Sequence, residues 1–128
     1  MTIELHKISV TTTGSAGSAS GSAIKAVPKG KIKAVYIDYN ASAPATTDVT
    51  IKSEADSTGV PPDVTVLTRS DSKTDGWFYP KVQVHDNAAA AVTGAYDDPV
   101  VHGGVISVTV AQADALADCV VVYIFVEV

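Results

Sequence analysis

Cysteine is nearly absent: Cys119 is the only one in 128 residues, which excludes an internal disulfide framework and leaves packing, hydrogen bonding or association to stabilise the fold. Leucine is scarce, three residues against twenty valines, so the apolar inventory is not that of a helical core. Basic residues are outnumbered nine to fourteen, and the net charge of −5 disfavours attraction to nucleic-acid phosphates or anionic lipid, so neither partner is expected. Long apolar runs are missing as well. The longest, Val120 to Val126, is far too short to span a bilayer as a helix. The opening residues, Met1-Thr2-Ile3-Glu4-Leu5-His6-Lys7, lack the basic segment and apolar run of a secretory signal, so synthesis in the cytoplasm without a membrane anchor is expected.

Twenty valines, eight isoleucines and thirteen threonines favour a pleated surface, where side chains stiff at χ1 pack well. The length suits one domain, which buries about two-thirds of the surface its unfolded chain exposes. Ile3 to Thr12 reads as a first strand. Ile3 and Leu5 share one parity and Ile8 and Val10 the other, and a bulge or twist near His6-Lys7 would reconcile them. The small, polar Gly14 to Gly21 stretch reads as a loop or tether. Residues 1–21 are thus taken as an N-terminal strand or arm with a Gly/Ser-rich loop, and residues 22–128 as the body.

In the body, Ala23 to Val27 and Lys31 to Val35 read as a β-hairpin around Pro28-Lys29-Gly30, the second strand continuing to Tyr39. Asp48 to Ser53 alternates, with Val49 and Ile51 on one face, as a half-buried strand should. Val64 to Thr68 and Gly76 to His85 follow, the latter bent or at an edge because Pro80 has no N–H to donate. Ala88 to Ala91 reads as loop, Val105 to Val110 as an alternating strand, and Ala111 to Ala117 as room for one helical turn. The last segment, Cys119 to Val128, is apolar on both faces, so one face must meet a loop or another subunit. About eight strands result, an all-β, two-sheet sandwich.

Motifs for chemistry are thin, and no catalytic, cofactor-binding or metal site is assigned. His6, His85 and His102 are far apart in sequence and lack the spacing of a zinc site. Asp71-Ser72-Lys73-Thr74-Asp75-Gly76 offers oxygen ligands, but it lacks the further acidic positions of a calcium loop and reads as an Asx-type turn. Asp97-Asp98-Pro99 reads likewise. Gly14 to Gly21 has no Gly-Lys-Ser/Thr ending to cradle a phosphate, and no serine sits in a Gly-x-Ser-x-Gly elbow. Cys119 reads as a buried, inert thiol.

Interface candidates are more numerous. Lys25, Lys29, Lys31 and Lys33 fall within the first expected hairpin, either as a positive patch for an acidic partner or as a solvated guard against edge pairing. Trp77, Phe78 and Tyr79 gather three of the eight aromatic residues, and Tyr123 and Phe125 occupy the second face of the last strand. Trp77, Tyr79, Tyr123, Phe125, Lys25, Lys31 and Lys33 are the expected contact residues.

Thr47-Asp48-Val49-Thr50, Asp75-Gly76-Trp77-Phe78-Tyr79-Pro80 and Val108-Thr109-Val110-Ala111-Gln112-Ala113-Asp114 together give the stretch from Ala23 to Val128 a pattern that resembles the capsid decoration, or cement, proteins of tailed phages. That resemblance implies a jelly-roll-like sandwich, a homotrimer at local threefold axes, and the major capsid protein as partner. The chain would then lie on the capsid surface of a virion and clamp capsomers by many weak contacts, without catalysis or a cofactor. The rival reading is a tail, fibre or baseplate module that binds carbohydrate or protein through Trp77 and Tyr79. A hydrolase has no constellation to support it.

Overall fold

The computed structural model describes residues 2–128. Among them there is no helix, and the strands form two packed antiparallel sheets with a projecting ribbon. The all-β sandwich expected from valine content and alternation is the fold observed. Eleven strands are present: β1 (Ile3–Val10), β2 (Ala19–Ala26), β3 (Gly30–Tyr39), β4 (Asp48–Ser53), β5 (Val64–Arg69), β6 (Gly76–Phe78), β7 (Val82–His85), β8 (Ala91–Asp97), β9 (Val100–Val101), β10 (Val105–Ala113) and β11 (Val120–Glu127).

One sheet runs β1-β11-β3-β6, with β9 also on the far edge of β3. The second runs β2-β10-β4-β5, and β7 pairs only with β8. The pairing is nested: β1 with β11, β2 with β10, β3 with β6 and β4 with β5, all antiparallel. Two further pairings, β11 with β3 and β10 with β4, roll that long double ribbon into two layers. Between the layers lie the faces that alternation marked: Val49 and Ile51, then Ile106, Val108 and Val110, then Val120, Val122, Ile124 and Val126, all fully or almost fully buried. Ile8, Val10, Ile32, Val35 and Ile37 close the core from the first sheet.

Four details correct the sequence reading. First, β2 and β3 are not a hairpin. β2 belongs with β10 in one sheet and β3 with β11 in the other, so Pro28-Lys29 carries the chain across the sandwich. Both strands own a core face, Ala19 buried and Ala23 packed against the core in β2 and Ile32 and Val35 buried in β3, and two such faces are better satisfied across the core than side by side. Second, no bulge interrupts β1. Its register with β11 is continuous from Ile3↔Glu127 to Val10↔Val120, so Ile3 and Leu5 turn outward and stay exposed. The segment pairs along its whole length with a strand of its own domain, and the 21/22 boundary falls inside β2.

Third, Gly76 to His85 is not one strand. It breaks at Tyr79-Pro80-Lys81 into β6, on the edge of the first sheet, and β7, in the ribbon. Ala88 to Ala90 are loop as expected, but β8 and β9 follow in a stretch to which the sequence reading gave no strand. Fourth, Ala111 to Ala117 makes no helical turn: β10 continues to Ala113 past a bulge at which Gln112 takes φ 55°. The Thr12 hydroxyl then donates to the Asp114 carbonyl (2.6 Å) and accepts from the Leu116 N–H (3.1 Å), so the end of β1 satisfies the groups a helix would have paired.

Candidate functional site

Alternation sends half of each strand in the first sheet outward, and on that outer face the register aligns one row. Tyr123 of β11 lies opposite Tyr36 of β3, Tyr36 opposite Trp77 of β6, and Lys7 of β1 opposite Tyr123. The Tyr36 and Trp77 rings are 5.1 Å apart, Tyr36 and Tyr123 6.3 Å, and Trp77 and Phe125 5.4 Å. Their planes are tilted by 59°, 53° and 38°, so the rings meet at an angle rather than in parallel stacks. Between them lies an open depression of about 290 Å³ that Asp38 also lines. Lys7 Nζ stands 5.9 Å from the Tyr123 ring centroid. Outward-turned Leu5 is opposite Phe125 and extends the apolar face; it is 55% exposed, and Trp77 is 52% exposed.

Of the expected contact residues, the structure brings together Trp77, Tyr123 and Phe125. Tyr79 is exposed beyond the end of β6 and does not line the depression. Tyr36 and Asp38 were not foreseen. Their signal was the parity of β3, in which Val35 and Ile37 take the core and leave Tyr36 and Asp38 outside.

The lysines do not form one patch. Lys25 sits on β2 in the other sheet, while Lys31 and Lys33 are on β3 and meet acids at the base of the ribbon. Lys33 Nζ is 2.7 Å from Asp98 Oδ2 and Lys31 Nζ 3.4 Å from Asp97, and Lys81 donates to the other Asp98 oxygen. The Asp98 side chain is only 6% exposed. Hydrogen bonds from Lys33 first and Lys81 second hold its carboxyl below the ordinary carboxylate value, and Asp98 in turn raises Lys33. Lys31, Lys33 and Lys81 thus form with Asp97 and Asp98 a charge-neutralised clamp that fixes β7 and β8 to the first sheet.

Beyond that clamp the ribbon is bare. Every residue of β7 and all but Ala95 of β8 is exposed, Val82, Val84, Val92 and Tyr96 among them. At its base, Pro61, Val64, Val66, Val82, Pro99 and Val100 line an apolar groove of about 270 Å³, with His102 at its wall. The His102 Nδ1 is 3.0 Å from the Ser53 hydroxyl.

The motifs considered for chemistry are structural in their contacts. Asp75 Oδ1 accepts the Tyr39 N–H (2.7 Å) and Asp48 Oδ1 the Asp71 N–H (2.9 Å), binding the Asp71 to Gly76 loop to two strands. Cys119 is buried, and burial pushes its thiol up, away from the reactive thiolate. His6 Nε2 pairs with Glu4 Oε1 at 3.0 Å and His85 Nδ1 with the Gln83 carbonyl at 3.0 Å. Among the described residues, no three His, Cys, Asp or Glu side chains gather where they could hold a metal ion. Comparison with protein-family models, curated proteins and solved structures finds no match to this chain.

Proposed function

We propose that the chain is a virion structural protein that decorates a phage capsid as a homotrimer and stabilises it by non-covalent contacts with the major capsid protein. The observation that carries this reading is the β7–β8 ribbon. An isolated two-stranded ribbon is marginal in water, and this one spends Val82, Val84, Val92 and Tyr96 on solvent while only its base is clamped. Such a ribbon gains its missing burial by docking on a neighbouring subunit. The apolar groove at its base and the aromatic face of the first sheet are two more surfaces that an assembly would cover. Nested pairing of first strand with last, rolled into two sheets, supports the jelly-roll form of the sandwich, with β7 to β9 as its insertion. Acidic net charge suits a shell exterior that need not attract nucleic acid.

Electron microscopy of particles that carry the chain tests this. Threefold density on the outside of the shell, with ribbons reaching across capsomer seams, is expected; density confined to a tail or fibre would replace the reading with the binding-module alternative. That alternative draws on the exposed Trp77 in its aromatic depression.

A further inference from the structure

The outer aromatic face has a chemistry more specific than apolar contact. We propose that the depression between Tyr36, Trp77, Tyr123 and Phe125 receives an organic cation, the side chain of a lysine or arginine on a basic segment of a partner protein, with Asp38 as its counter-ion. Four aromatic rings, a side-chain type whose π systems attract cations, line the depression, and a carboxylate shares it. Asp38 takes part in none of the ion pairs among the described residues, so its charge is available to an incoming cation. Tilts of 38° to 59° make the rings a concave cluster rather than the flat platform on which a sugar ring would lie.

The molecule already places one of its own ammonium groups at the rim, Lys7 at 5.9 Å from the Tyr123 centroid. Exposed Leu5, opposite Phe125, offers an apolar shelf for the methylene stem of a long cationic side chain. The net charge of −5 attracts basic segments over a longer range.

Trp77 is the only tryptophan, so its emission reports this site alone. The purified chain is titrated at constant ionic strength with tetramethylammonium and N-acetyl-arginine methylamide, and in parallel with tert-butanol, a neutral isostere of the first, and with glucose. A saturable change with both cations and none with the neutral compounds is expected. Asp38→Asn weakens cation binding about threefold to fivefold, the range of an exposed ion pair. Phe125→Leu, which keeps the apolar volume and removes the ring, weakens it about twofold to fivefold. Removing the resident ammonium with Lys7→Ala tightens it. Equal saturation by tert-butanol or glucose, or no saturable change with any probe on the intact chain, overturns the assignment. The cation site and the capsid contact fail separately, because the titration contains no shell.

Discussion

At Asp98 a single carboxylate ties the ribbon to the sandwich, one oxygen to Lys33 of β3 and the other to Lys81 just before β7. Both lysines are partly exposed, so solvent screens the pair, and Asp98→Asn is expected to cost about 1–2 kcal/mol, seen as faster amide exchange in β7 and β8. The pH dependence has a definite sign. Because the folded carboxyl lies below its ordinary value of 3.8, its contribution is fully present above that value and is lost as pH falls through the folded value. Melts at pH 6 and pH 3 are therefore expected to differ more for the native chain than for Asp98→Asn. Backbone approach sets a second residue-scale test. A Cβ on Gly21 would lie 2.3 Å from the Thr11 carbonyl oxygen, whereas one on Gly76 meets only the Phe78 ring at 3.7 Å. Gly21→Ala is expected to cost about 1–3 kcal/mol by chemical denaturation, and Gly76→Ala to be neutral or stabilising by up to about 1 kcal/mol.

Within elements, local alternation decided what was legible. Val49 and Ile51 in β4, Ile106, Val108 and Val110 in β10 and Val120, Val122, Ile124 and Val126 in β11 alternate as branched apolar residues, and they are in the core. The same parity in β1 pointed Ile3 and Leu5 outward. Expecting all apolar residues inside called for a bulge or twist there, yet an unbroken ladder to β11 outweighs two exposed side chains. β8 was hidden because Gly94 sits mid-strand at φ 77° and small alanines blur the alternation. The aromatic cluster was legible only in part: Trp77, Tyr123 and Phe125 were visible as outward residues, but their meeting depends on the Tyr36↔Trp77 register, a pairing between distant segments. β11 tests the two-faced strand. Ile124→Ala, on the core face, is expected to cost about 2–5 kcal/mol in denaturant midpoint experiments, and Phe125→Leu, on the outer face, less than about 1.5 kcal/mol.

For the whole molecule, strand order lay beyond local reading, since any sandwich shows the same alternation whatever its partners. What the order produces is a closed core with three open apolar surfaces: the ribbon, the groove at its base and the aromatic face. Replacing Val82 to Tyr96 with a short Gly/Ser turn is expected to leave the melt of the sandwich within about 1 kcal/mol, because the ribbon adds little to the core. Sedimentation equilibrium of the intact chain tests most directly whether sister chains cover these surfaces. A mass three times 13.2 kDa, falling to that of one chain when the ribbon is replaced, is the expected result. A single-chain mass for the intact protein at every concentration would contradict it.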